Sequence, residues 1–284
     1  MSGAARPRKP LILMSDDVEP AHWDASGESD IVARLAVCQD IWGRNSFAPG
    51  QYLAMRQAAT ALALNKSQIY GAIGVNLGGF GFVTEELGAH VELFEADPLL
   101  CDFNGSSPHF LGKLVKMERW VPGELRLKAN RYHRLSTFWA FAAAPDPVAL
   151  VHEITAALKP GGYLYIDEIW ANDAASARQL ACASSLWQDN VCFRRKGEVL
   201  NLFARELEFR SANEANRLVK SDIRDGLAHA QEVTQRLKQV PEDIRKHRLI
   251  ALTKELQRVV VLFDALDRGA VTATRLVFHK KKEL

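Results

Sequence analysis

The stretch IYGAIGVNLGGFG, residues 69–81, decides how the chain is read. Its first half, IYGAIGV, is an apolar run of strand length, and Gly74, Gly78 and Gly79 then open a turn ahead of FVTEEL, which reads as a helix. The next run, HVELFEA, is again strand-like and leads into Asp97-Pro98. Strand, glycine turn, helix, strand and acidic end make a βαβ unit. Its right-handed crossover places both strands in a parallel sheet covered on both faces.

On the C-terminal side, further strands are predicted at Lys116–Val121, Arg134–Ala142 and Tyr163–Trp170. Between the last two, PDPVALVHEITAALKPGG reads as a helix with Pro147 in its first turn and a Pro-Gly-Gly exit. Beyond Trp170 the pattern is largely helical. Ile223, Leu227, Ala230, Val233, Leu237 and Val240 form one apolar stripe broken by Pro241, and Leu249, Leu252, Leu256, Val259, Phe263 and Leu266 form a second. The two helices are expected to pair as a hairpin, either on the sheet or across a dimer axis. After Gly269, VTATRLVFHKK alternates like a strand that closes the sheet edge.

On the N-terminal side, IVARLAVCQDIWG puts Ile31, Leu35, Cys38 and Trp42 on one helix face before Gly43, and FAPGQYLAMRQAATALAL reads as a second helix entered through Pro49-Gly50. Residues 1–30 read as an irregular arm. The expected fold is therefore α/β: a doubly wound, mostly parallel, seven-stranded sheet over residues 31–284. A helical insertion at about 171–268 precedes the last strand pair, and a terminal strand spans about 270–281.

The 284 residues are 48% hydrophobic and 25% charged with net charge +2, the profile of a globular protein and not of a nucleic-acid binder. Runs such as Arg194-Arg195-Lys196 and HKKKE read as solvated faces. The start, MSGAARPRKPLILMSDD, holds too few apolar residues in a row for a secretory leader or a membrane span, so a cytoplasmic location is expected. The four cysteines have spacings that fit neither a disulfide framework nor a zinc site, and no metal is expected.

GVNLGG, VELFEADP and LKPGGYLYIDEIW, in this order and spacing, resemble the class I S-adenosylmethionine-dependent methyltransferase family, above all its small-molecule branches of the ubiquinone-biosynthesis and phosphoethanolamine type. IWGRNSFAPGQ, residues 41–51, resembles the aromatic-glycine entry segment of those branches, and the likeness runs from about residue 38 to 170. It implies S-adenosylmethionine as cofactor and a small-molecule methyl acceptor. Gly74, Asn76, Gly78 and Gly79 would form the glycine turn, and Glu95 would accept hydrogen bonds from the ribose hydroxyls. Val121 would stand at the adenine position. The sequence departs from the family pattern at Ala72, Val121 and His133, where an acid is usual. A registration with Asn76 in the first acid's place leaves the loop to Glu95 about a helical turn short.

Asp167 and Glu168 lie at the carboxyl end of a strand, where open α/β sheets bind ligands, and are the candidates for orienting or deprotonating an acceptor. The plainer reading is that they cap the strand end or pair with an arginine. Trp42, Phe47 and Tyr52 read either as an aromatic gate or as core, Trp120 as an adenine stacker or core, and His133 and His152 as structural. The missing acids also admit a second function: an inactive methyltransferase-like module for binding, regulation or assembly. A homodimer or protein partner would then engage the helices of residues 218–266.

Overall fold

The computed structural model describes residues 28–43, 46, 48–74, 88–96, 101, 115–121, 123–124, 127–182 and 192–282. Seven strands form one sheet: β1 Ile69–Gly74, β2 His90–Glu95, β3 Val115–Arg119, β4 Tyr132–Phe138, β5 Leu158–Ala171, β6 Leu207–Glu214 and β7 Val271–Lys280. Their spatial order is β3-β2-β1-β4-β5-β7-β6. β3, β2, β1, β4 and β5 pair in parallel, whereas β7 is antiparallel to both β5 and β6. The order reverses direction between β1 and β4, and the carboxyl ends of these two strands flank the crevice where doubly wound sheets take ligands.

Alternation along the strands sends side chains into two layers. On one face Tyr70, Ala72, Val91, Leu93, Phe138 and Tyr165 pack under Ala54, Met55 and Ala58 of α2 (Gln51–Ala61) and Leu62 just after it. On the other, Ile73, Phe94, Leu135, Leu164 and Ile166 meet Leu150, Val151 and Ile154 of α4 (Pro147–Ala157), with Val199 and Phe203 of α6 (Lys196–Phe203). α4 starts where expected because Asp146 accepts hydrogen bonds from the Val148 and Ala149 N–H groups, at 2.8 and 3.1 Å, and Pro147 needs no partner in the first turn.

A third cluster builds a cap. α1 (Glu28–Trp42), α7 (Asn216–Leu237) and α8 (Glu242–Asp267) pack as three helices on Ile169, Ala171, Val271 and Ala273, at the carboxyl end of β5 and the start of β7. A Cβ at Gly226 would overlap the Trp42 ring, so this glycine lets α7 approach α1. Inside the cap, Trp42 Nε1 donates to Glu255 at 2.7 Å, and Glu255 also pairs with Arg258. Asp222 of α7 accepts from the Gly50 N–H at 2.6 Å, tying the cap to the entrance of α2.

The expectations and the structure part in three places. The hairpin α7–α8 enters between β6 and β7, splitting the last strand pair, and α5 (Ala174–Cys182) and α6 precede that pair. β6 escapes the hydrophobic pattern because LEFRSANE buries only Leu207 and carries a bulge between Phe209 and Ser211, as suits a charged edge strand. The apolar seam of α7 and α8 finds its partner in α1 of the same chain. Leu252, Val259 and Leu266 are buried, Leu256 and Phe263 pack against the same cluster, and only Leu249 is exposed, so the seam offered to a dimer or protein partner is largely intramolecular core.

Candidate functional site

Strand register lines up one row across the carboxyl edge: Arg119, Glu95, Gly74, Phe138, Asp167 and Arg275 are successive cross-strand partners. Gly74 is the pivot of that row. At φ +150° it lies so close to β4 that a Cβ would overlap the Phe138 carbonyl oxygen and come within 2.8 Å of its carbon. Beside it, Glu95 is fully buried at the end of β2, with the Ala96 N–H donating to Gly74 O and the Trp120 N–H to Glu95 O, both at 2.8 Å. Asn76, Gly78 and Gly79 lie outside the described residues, as does Phe47.

Val121 follows β3 with 37% of its surface exposed, so an apolar side chain faces outward where the resemblance expects an acid. Trp120 is core: it sits among Phe94, Leu127 and Tyr132. Ala72 is buried under α2 among Met55, Ala58 and Leu93, with no polar group in the acid's place. Trp42 is cap core and Tyr52 is exposed. His133 Nδ1 accepts from the Ile69 N–H at 3.2 Å, at the sheet edge away from the crevice.

Asp167 and Glu168 point to opposite faces of β5. Asp167, 17% exposed, accepts from Arg275 Nε at 2.9 Å, and Arg275 reaches on to Gln57 of α2. Burial raises the Asp167 pKa while Arg275 pulls it down. Glu168 is enclosed. It accepts from the Phe141 N–H at 2.9 Å and the Ile169 N–H at 3.3 Å, and its register partner on β7 is Thr274, whose buried hydroxyl makes no hydrogen bond. Burial pushes the Glu168 pKa up to about 8 from an ordinary 4.5, against the pull of the Phe141, Ile169 and Ala142 N–H groups and with a further push from Asp167.

A raised carboxyl pKa means that the folded chain holds a proton the unfolded chain releases. The contribution of Glu168 is therefore full below pH 4.5 and is lost as pH climbs to about 8. Glu168→Gln keeps an acceptor for Phe141 and removes the titration. Its stability relative to wild type is expected to improve steadily over that interval, read by urea unfolding at successive pH values. A flat difference would contradict the assignment.

Sequence reasoning did not pick out Arg275, Gln57 or Trp139. Arg275 carried a signal, a cation inside an otherwise apolar strand, which calls for a buried acid. Among the described residues no group of three or more His, Cys, Asp and Glu side chains is placed to hold a metal, and no helix is long and apolar enough to cross a membrane.

A seven-stranded sheet of this order with an antiparallel β7 is the Rossmann-like architecture of class I methyltransferases. No protein-family model matches the chain, and no curated protein matches it by sequence. Solved structures match by fold. Phosphoethanolamine N-methyltransferase 2 of Haemonchus contortus, in complex with S-adenosyl-L-methionine, aligns with TM-score 0.65 at 14% identity over 93% of this chain and 61% of that one. Geranyl diphosphate C-methyltransferase of Streptomyces coelicolor A3(2) aligns with TM-score 0.61 at 11% identity over 81% and 79% of the two chains. The cyclase SpnF aligns with TM-score 0.61 at 13% identity over 82% of each. At these identities the likeness is one of fold.

Proposed function

We propose that this chain is an S-adenosylmethionine-dependent methyltransferase acting on a small molecule. The observation that carries the reading is the register of Glu95 beside Gly74 at the carboxyl ends of β2 and β1, next to the point where the strand order reverses. The residues present fit the cofactor at three points. Gly74 lets β1 and β4 close together at their carboxyl ends; Glu95 would be the ribose acceptor; and Val121 would give the adenine an apolar contact in place of a hydrogen bond. Bound there, the cofactor would supply an electrophilic methyl group. The chain's own work is to orient the acceptor and exclude water. Asp167, the more open of the two carboxylates, is the candidate to orient or deprotonate the acceptor, and Glu168 holds the β4–α3 turn (α3, Ala140–Ala143).

Two observations favour the second reading, an inactive module of the same fold: Ala72 is apolar core, and both carboxylates already have intramolecular partners. Calorimetric titration with S-adenosylmethionine and S-adenosylhomocysteine separates the two. Under the enzyme reading binding is saturable, and Glu95→Ala weakens it by about 10- to 100-fold, the effect of losing a charge-assisted hydrogen bond. Absence of binding at millimolar ligand, or an unchanged affinity in Glu95→Ala, would overturn that reading.

A further inference from the structure

The sheet ends in β6, which bonds β7 on one side and leaves the N–H and C=O groups of its other side without a partner among the described residues. A free edge is a template for a further strand, and folded chains protect theirs with charges and bulges. β6 has the bulge, between Phe209 and Ser211, yet just ahead of it Phe209 leaves 51% of its surface exposed.

Beside that stretch runs a groove of about 530 Å³ between the edge strand and the end of α6. Leu200 and Ala204 line it from the helix, Leu207 and Phe209 from the strand, and Phe278 of β7 from below, meeting the Phe209 ring edge-on at 5.7 Å. Arg205 and Lys281 also line it, both exposed and neither paired with an acid among the described residues. Of the two acids there, Glu208 is engaged by Arg210 at 3.0 Å and Glu206 is not, so the unspent charge of the groove is positive. Leu207 pairs with Lys280 at the end of β7, which places the groove at the opposite end and edge of the sheet from Gly74 and Glu95.

These features select an occupant. A helix beside a free strand edge suits an extended segment, whose main chain bonds to the sheet while alternate side chains enter the groove. An apolar side chain matches Leu207, Phe209 and Phe278, and a neighbouring carboxylate matches Arg205 and Lys281. A second copy of this chain fits less well, because pairing β6 with β6 needs a long regular edge and the bulge bends this one. We propose that the groove docks a short extended segment of a partner protein, an apolar residue flanked by acidic ones, added as a strand along Leu207–Phe209. The site does not depend on the methyltransferase reading and gives the chain an interaction surface remote from the crevice.

A random-peptide library displayed on phage and selected on the immobilised full chain tests this. Selected peptides are expected to share the acidic–apolar pattern. Their synthetic forms should lose about 10-fold or more in affinity on Phe209→Ser, and about 3- to 30-fold on Arg205→Glu combined with Lys281→Glu, the second loss shrinking as salt is raised. Methylating alternate backbone nitrogens of the peptide should abolish binding in one phase and spare it in the other, because a strand turns every second N–H toward its neighbour. Thermal unfolding checks each variant; if Phe209→Ser is destabilised, the exposed Arg205 and Lys281 pair and the methylated peptides decide. Enrichment no greater than on the Phe209→Ser chain, a basic consensus, or affinities equal in wild type and both variants would overturn the proposal. So would a concentration-dependent dimer in sedimentation that Phe209→Ser abolishes, which would assign the groove to a second copy.

Discussion

Glu255→Ala is expected to lower the unfolding free energy by about 3–5 kcal/mol, the range for breaking a buried ion pair from one side. Glu255 and Arg258 are 4% and 7% exposed in the centre of the cap, one turn apart on α8. The carboxylate also accepts from Trp42 Nε1 and bonds the Cys38 thiol, whose pKa is pushed up to about 12 by burial and by Glu255 itself. Removing it leaves a guanidinium in an apolar bundle and takes the acceptor from an indole N–H in the same step. Glu255→Gln keeps the acceptor and loses only the charge, so it should fall between wild type and Ala. Urea unfolding of the three proteins checks the order, and a loss under about 1 kcal/mol in Glu255→Ala would show that solvent reaches the cluster. The consequence extends beyond stability. α1 is held in the cap by this cluster and by its close approach to Gly226, so its loss should loosen α1 from the two other cap helices.

Why some of this was legible in the sequence and some was not follows from the range of the interactions. The parallel core was readable because β1 is a continuous apolar run and β2, β4 and β5 carry apolar residues over strand length with turn residues between them. β6 was not, because its order comes from pairing with β7 across the whole α7–α8 hairpin and its own residues are mostly solvated. The helical stripes were found at the right positions. What they pack on was left open, since the third helix of the cap lies far upstream, at the other end of the chain.

The candidate site divides along the same line. Glu95 and Gly74 were visible because they belong to a local motif. The Asp167–Arg275 pair spans 108 positions, and no spacing within LYIDEIW names its partner. Trp139 illustrates a different obstacle: nothing in TFWAF marks a left-handed residue, because tryptophan is a poor one. Its conformation, φ 53° and ψ 23°, is imposed from outside: its N–H donates to Asp167 O at 3.0 Å, and Glu168 fixes the Phe141 N–H two residues on. Only the assembled sheet shows it.

Gly74→Ala is expected to be the most damaging single-methyl change in the sheet, with a loss of about 3 kcal/mol or more and no measurable ligand binding. The added carbon would overlap the Phe138 carbonyl oxygen, which is fixed by the β1–β4 ladder on one side and the Trp139 turn on the other, so no flexible side chain can yield. The positive φ adds to the penalty. Relief requires β1 and β4 to part at their carboxyl ends, which displaces Glu95 through its register with Gly74. Ala72, two residues earlier on the same strand, marks the contrast: there a methyl group is already part of the packed layer under α2, and Ala72→Gly should cost no more than the usual loss of a small buried side chain, about 1 kcal/mol. Thermal unfolding and ligand titration of the two variants measure both effects together. If Gly74→Ala unfolded like wild type and still bound ligand, the close approach of β1 and β4 would not be what shapes the crevice, and Gly74 would be an ordinary strand residue with no part in the site.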